Sequence, residues 1–449
     1  MRTLLFRLFT SWRADLLHYM PTPAYTIWMR QVPFTPNRNI YIVNAPETIR
    51  EIMFDKVDQY PKSDVLTGSL DPLVGNSIFT VSGEQWRRQH RMIEQVFSKL
   101  RLKTAYKTMQ TAMHDYEKRL DAQAGGIVNL DEEMAFVTAD IIFRTMFSRP
   151  IDDADAMMIF KEFTIYQESL PHFTGRRMFR QIAHKPPKLP ARALEACSLI
   201  RSVIAKIVDE RLSGAVEHDD ICQIICTCKD PETGQPFTRE EMISQIAVFF
   251  LAGHETSASA LTWTLLCLSQ DDYAADKLRD EVYSIVGDGD IPFEALNRMK
   301  FASAIFKEGL RLYPPVSFIT RYALKADKLR DHHDIKPDDL MVISPWLIHR
   351  HHKFWKNADR FDPDRFVSDR TGGAPNGAWI PFGAGPRVCI GAAFANAEAS
   401  LILGSLTRRY KLTPLDPHKI EPVARLTVRP RDRVRVRVEL RERRQAEAA

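Results

Sequence analysis

The chain has 449 residues, 45% of them hydrophobic and 27% charged, with a formal net charge of +5. That balance can bury a sizeable core and excludes a disordered chain, and a charge so near neutrality gives no electrostatic case for a nucleic-acid partner. Six cysteines without Cys-x-x-Cys spacing exclude a disulfide scaffold and fit a reducing compartment.

In the N-terminal segment 1–38, Arg7 and Arg13 interrupt the apolar residues, and no run approaches the roughly 20 that a spanning helix needs. With no signal-peptide layout either, a cytoplasmic protein without a transmembrane anchor is expected. A strand is predicted over Asn39–Val43 and a helix from Pro46 to about Asp55. Helical periodicity recurs near 84–98, 101–122, 130–148, 155–169 and 190–213, then in a long helix over 238–269 and others near 271–286 and 298–312. Strands are predicted over Ala323–Leu329 and within Val423–Leu440, where Arg433–Val438 alternates with period two and should turn its valines inward. No linker or repeat divides the chain, so one domain over 1–449, mainly α with minor β, is expected.

Four runs carry chemistry. Gly83–Met92 opens a helix on which Trp86 and His90, four apart, share a face. Ile246–Ser257 is apolar but broken by polar residues in the middle of the long helix, and buried polar groups need a reason. Gly253 and Thr256 are expected to open a local bulge there, freeing a carbonyl. Phe306–Pro315 sets Glu308 and Arg311 on one face of a helix ended by two prolines, and Phe361–Phe366 supplies Arg365.

The fourth run, Phe382–Gly391, is the most specific. Its pattern of Phe382, Gly383, Gly385, Arg387, Cys389 and Gly391 has a chance frequency of about one in 10⁵ or rarer in a chain of this length. It suits a haem-iron thiolate loop. A buried thiolate is costly unless dipoles point at it, and the glycines allow winding tight enough to aim N–H groups at the sulfur. The helix-forming stretch that follows places Cys389 at a helix N-terminus, where negative charge is favoured. Phe382 is expected to shield the sulfur, and Arg387 to offer a fixed cation to an anionic group such as a haem propionate.

This run resembles the haem-binding signature of the cytochrome P-450 superfamily, and the three upstream runs fall where that family's other landmarks fall. The resemblance implies the family's single-domain fold, with haem b held between the long central helix and the helix after Cys389, the axial iron ligand. It implies propionate contacts from Trp86, His90, Arg321 and Arg387, further cofactor contacts at Phe382, Gly383, Gly391 and Ala252, and a structural ion cluster of Glu308, Arg311 and Arg365. Thr256 and Glu255 resemble the family's alcohol and acid pair, which organises protons around dioxygen, the co-substrate. Phe249, Val316, Phe318 and Ile319, with parts of 58–80 and 155–190, are expected to line a pocket for a hydrophobic small molecule such as a lipid, terpenoid or steroid. Arg176–Arg180 with Lys185 and Lys188 falls where a lid would lie.

The implied activity is that of a monomeric monooxygenase performing hydroxylation or epoxidation. The chain shows no flavin or nicotinamide motif, so two electrons are expected from an external ferredoxin or flavodoxin with its reductase, steered by basic residues between Arg87 and Lys103 and between Arg350 and Lys356. The alternatives are a haem-thiolate peroxygenase, isomerase or dehydratase needing no donor, and a non-catalytic haem sensor. His349–His352 and Asp331–Asp334 lack the spacing that orients metal ligands.

Overall fold

The computed structural model describes residues 15, 17, 20, 22–35, 38–63, 68–97, 99–170, 189–214, 218–329, 333–368 and 373–442. The basic run around Arg176–Arg180, Lys185 and Lys188, and the N-terminal positions Arg7 and Arg13, lie outside the described residues.

The helices of three turns or more are α1 (Gly83–Glu94), α2 (Lys99–Asp121), α3 (Leu130–Phe147), α4 (Ala154–Ser169), α5 (Ala191–Leu212), α6 (Arg239–Leu268), α7 (Asp272–Val286), α8 (Lys300–Leu312) and α9 (Ala392–Arg409). The longest, α6, opens with Thr238 and Glu241 in a reciprocal capping box and is buried nearly all round, as a helix at the centre of a large core must be. α3 and α8 pack along it. The contacts are close enough that a Cβ on Gly253 would lie 2.6 Å from Ile142 Cδ1, and one on Gly309 would lie 2.0 Å from Thr264 Oγ1. α9 packs against α2, α6, α7 and α8, which brings the helix after Cys389 to the central one.

The sheets are small. β1 (Met29–Thr35), β2 (Arg38–Val43), β4 (Ile319–Tyr322) and β7 (Leu340–Ile343) form one in the order β1-β2-β7-β4, with the β2/β7 pair parallel. β3 (Ile127–Asn129), β8 (Tyr410–Pro414) and β11 (Arg435–Leu440) form a second, and β5 (Asp327–Leu329) with β6 (His333–Ile335) and β9 (Pro422–Ala424) with β10 (Val428–Pro430) are two-stranded. Val434, Val436 and Val438 are buried while Arg433, Arg435 and Arg437 face solvent, as the alternation requires. The strand expected over Ala323–Leu329 is corrected: β4 ends at Tyr322 and β5 starts only at Asp327, and between them Leu324 N–H turns away from β7 to donate to Gln59 O. One contiguous apolar core unites the layers. No helix among the described residues is long and apolar enough to cross a membrane.

Candidate active site

The Cys389 loop is wound through two left-handed glycines, Gly383 at φ 77° and Gly385 at φ 73°. A Cβ on Gly385 would lie 1.9 Å from the Met53 carbonyl oxygen, so the loop rests directly on backbone. Cys389 N–H donates to Phe382 O at 2.9 Å, and the Gly391 N–H is aimed at the sulfur three residues before α9 begins. A water-sized molecule reaches Cys389, yet surrounding protein desolvates it enough to be the largest influence on its thiol. Those two facts together place the sulfur on the wall of an enclosed space. Burial pushes the thiol up, whereas Gly391 N–H and the charge of Lys62 draw it down. A metal cation bound at this sulfur favours the thiolate outright.

Three cations stand near it. A backbone bridge pairs Lys62 with Arg321, and Arg387 belongs to the loop itself. Lys62 Nζ donates to Phe79 O at 2.8 Å, Arg321 Nη1 to Thr320 O at 2.9 Å and Arg387 Nη1 to Val81 O at 2.9 Å. The Arg387 guanidinium also lies 4.5 Å over the Trp86 ring. Among the described residues none of the three forms an ion pair; Asp58 tempers Arg387 without pairing with it. Desolvation, with repulsion from neighbouring cations, lowers Arg321 and Arg387 to about 10 and Lys62 well below its ordinary value. Clustered, enclosed cations held by neutral carbonyls call for a multiply charged anion. An iron porphyrin fits: its two carboxylates answer the cations and its iron answers the soft sulfur.

Lys62 carries no sequence signal and was found only through this geometry. Trp86 lies under the Arg387 guanidinium. His90 has its ring 4.8 Å from that of Trp86 and its Nδ1 3.5 Å from Glu94 Oε1.

Between Met242 and Leu266 every residue of α6 is buried except Ala252, Gly253 and Thr256. These make one open strip on the central helix. The bulge expected there is absent, because α6 runs unbroken and Thr256 Oγ1 donates to Ala252 O at 2.6 Å. Gly253 serves instead to let Ile142 of α3 approach.

Glu255, one helical step of about 100° from Thr256, faces elsewhere. Its carboxylate accepts from Thr427 Oγ1 at 2.6 Å and from Arg429 Nε at 3.1 Å and Nη2, while Arg429 Nη1 donates to Asp131 at 2.6 Å. Burial alone would raise the Glu255 carboxyl, but the Arg429 charge outweighs it and holds the group below the usual carboxylate range. The acid and the alcohol are thus adjacent in sequence and not side by side in space. Asp131, Thr427 and Arg429 carried no motif; a buried arginine in a short strand shows itself only once the fold is known.

Glu308, Arg311 and Arg365 come together in one ion cluster. Glu308 and Arg311 are fully buried, with Arg311 Nε and Nη2 donating to the carboxylate at 2.7 and 2.8 Å and Arg365 Nε at 3.1 Å. Arg311 also donates to the carbonyls of His349 and Arg360 at 2.9 Å, tying α8 to the segment that leads to the cysteine loop. His349 and His351 are buried, and His349 Nε2 accepts from Ile380 N–H at 2.8 Å.

Most of the basic residues expected to steer a partner are ion-paired. Arg87 pairs with Asp58 and Glu84, Arg88 with Glu241, Arg91 with Asp230, Arg101 with Asp219 and Lys103 with Glu294. Arg350 is buried among aromatic rings. Of the pocket residues, Phe249 is buried with its ring 5.2 Å from Phe97, Phe318 is buried, Ile319 is half-buried and Val316 is exposed. A polar cleft of about 1060 Å³, whose lining includes Lys62, Val81, Gln85 and Tyr322, opens beside the cation cluster.

Glu398 on α9 is a buried acid that sequence reasoning passed over. Neither oxygen has a well-formed hydrogen bond, although the Ser257 hydroxyl is near, and burial pushes the carboxyl up to about 8. The folded state therefore keeps a proton that the unfolded chain releases near the ordinary value of 4.5, so stability falls as pH rises through that interval. Glu398→Gln is expected to remove the decline, and its melting-temperature advantage should widen steadily between about pH 5 and pH 8. An advantage independent of pH would place the titrating group elsewhere.

Residues 15–437 match the family model for cytochrome P-450. The fold aligns with a crystal structure of a cytochrome P-450 heme domain at a TM-score of 0.80 and 21% identity, covering 92% of this chain and 90% of that one. The chain is 28% identical over 424 residues to a cytokinin hydroxylase of Arabidopsis thaliana, covering 91% of this chain and 81% of that protein. It is 26% identical over 393 residues to cyclooctatin synthase of Streptomyces melanosporofaciens, with 86% and 83% covered, and 26% identical over 410 residues to that organism's cyclooctat-9-en-7-ol 5-monooxygenase, with 90% and 86% covered. A thiol loop inside a cation cradle on a mainly α fold is the architecture of a haem-thiolate protein. The chain belongs to the cytochrome P-450 family and is an oxidoreductase of its monooxygenase type.

Proposed function

We propose that this monooxygenase inserts one oxygen atom, by hydroxylation or epoxidation, into a hydrophobic small molecule of terpenoid, lipid or steroid type. Two electrons come from a separate ferredoxin- or flavodoxin-type donor. The observation that carries the reading is the open strip of Ala252, Gly253 and Thr256 on an otherwise buried helix, in a fold whose Cys389 and cations suit haem b. When bound, haem would supply dioxygen activation, with Cys389 as its thiolate ligand. Cys389 would hold the iron, and Lys62, Arg321 and Arg387 would orient the macrocycle through its carboxylates. The small side chains of Ala252 and Gly253 leave room on the helix. Thr256 has a hydroxyl that can leave the Ala252 carbonyl to hold a proton donor at that strip. Glu255, kept ionised by Arg429, anchors the turn and accepts a proton only when that clamp loosens.

A hydrophobic small-molecule substrate is supported by the Streptomyces relative that acts by name on cyclooctat-9-en-7-ol. A docking face at the cysteine loop is supported by the exposed side chains of Phe54 and Val388 there. Thr256→Ala is expected to keep electron consumption while product per electron falls about 100-fold, the lower end of what a lost proton-transfer group costs. A second reading, a peroxide-driven or isomerising enzyme, is favoured by the backbone-bonded Thr256 and the clamped Glu255. Turnover that needs no electron donor and is unchanged in Thr256→Ala supports that second reading and defeats the first.

A further inference from the structure

Outside the cofactor site, four oxidisable rings form a continuous series. Trp263 lies on α6 seven residues after Thr256, two turns along and within about 20° of the same face. Its ring stacks on Tyr313 at 4.1 Å with the planes 3° apart. Tyr313 meets Trp346 edge-on at 6.1 Å, and Trp346 Nε1 donates to the Tyr25 hydroxyl at 3.1 Å. Tyr25 is half-buried and stacks at 6.0 Å on His352, which is exposed. The series therefore leads from a ring buried in the central helix to the protein surface. Phenylalanine is the commonest aromatic residue of the chain, 25 against 12 Tyr and 7 Trp, yet it occupies none of the four positions. Trp263 Nε1 donates to Val428 O at 2.8 Å, so hydrogen bonds hold Trp263, Trp346 and Tyr25 in place, and Tyr313 joins the series through its ring contacts.

Arg350 adds a direction. Its buried guanidinium lies 3.7 Å from the Trp346 ring and 5.4 Å from Tyr313. A fixed positive charge so close disfavours leaving an electron vacancy on either ring. The vacancy is driven outward to Tyr25, where the phenol can release its proton to water.

We propose that this series carries electrons inward to the haem when no substrate consumes the oxidising equivalents formed there, an inference that rests on the oxygenase reading. In that discharge the haem site gains two electrons and two protons, and its oxygen atom leaves as water. Each electron departs from Trp263, which is refilled in turn from Tyr313, Trp346 and Tyr25. A low-molecular-weight thiol restores Tyr25: two thiols lose two electrons and two protons and join as one disulfide. Trp263, Tyr313, Trp346 and Tyr25 are not catalytic residues for oxygen insertion; they protect the site from its own oxidant.

The test mixes the haem-loaded protein with hydrogen peroxide in the absence of substrate. One sample is frozen for electron paramagnetic resonance, and another is treated with a nitroso spin trap, digested and mapped by mass spectrometry. The wild type should give a tyrosyl signal and a trap adduct on Tyr25. Tyr25→Phe, which preserves the ring packing, should lose that adduct, gain one on Trp346 or Tyr313 and bleach its haem several-fold faster. Trp263→Phe should suppress the adducts along the whole series. Bleaching at the wild-type rate in both variants, or adducts that map away from these four residues, overturns the proposal while leaving the oxygenase reading intact. A protein whose haem lacks a thiolate-type spectrum overturns both.

Discussion

Glu308→Ala should leave the chain unable to retain haem and should lower its unfolding free energy by about 3–5 kcal/mol, the range for removing one partner of a buried ion pair. The carboxylate is fully buried and answers two guanidiniums, those of Arg311 and Arg365, as well as the Asp362 N–H at 2.9 Å. Without it both arginines stay desolvated, and Arg311 keeps only backbone carbonyls as partners. Those carbonyls belong to the stretch between His349 and Arg360, so the disturbance reaches the approach to the cysteine loop. Denaturant unfolding and haem content measured on the same preparation check the point. A loss under about 1 kcal/mol, the scale of an exposed pair, would mean that the cluster is solvated.

Gly385→Ala should be as damaging, for a steric reason. The position has φ 73°, which costs a residue with a Cβ about 1–2 kcal/mol, and that Cβ would sit 1.9 Å from the Met53 carbonyl oxygen. Backbone on both sides of the contact has to move, adding about 1–3 kcal/mol, and the sulfur moves with it. Gly383→Ala is the matched control. It carries a similar φ of 77°, but its nearest neighbour, the Arg387 carbonyl oxygen, is 4.0 Å away. Gly383→Ala should therefore show only the conformational penalty and still take up haem, whereas Gly385→Ala should fail to. Equal behaviour of the two in thermal unfolding and visible absorption would remove the clash from the explanation.

The parts of this molecule that were legible in the sequence are those where chemistry and chain spacing coincide. The cysteine loop, the Glu308–Arg311 pair and the long helix all announce themselves within a dozen residues, because one short stretch supplies the whole device. Helix positions followed from apolar periodicity, and the valines of β11 from strict alternation. β7 was missed because Leu340–Ile343 is buried throughout and so has no polar face to betray a strand. What stayed hidden was made by residues far apart in the chain. Lys62 joins Arg321 and Arg387 across more than two hundred residues, and Arg429 reaches Glu255 from the C-terminal strands. The basic residues that read as a docking patch illustrate the opposite error. Sequence shows the arginines together but not that Asp58, Asp230 and Glu241 come to meet them.

The central claim is that Cys389 binds porphyrin iron as a thiolate. Its most direct test is the visible spectrum of the haem-loaded protein, reduced and exposed to carbon monoxide, with Cys389→Ser beside it. The native protein should show the strongly red-shifted Soret band of a thiolate ligand, and Cys389→Ser should lose it. A native spectrum without that shift, or one that survives the substitution, would contradict the assignment of the sulfur to the iron.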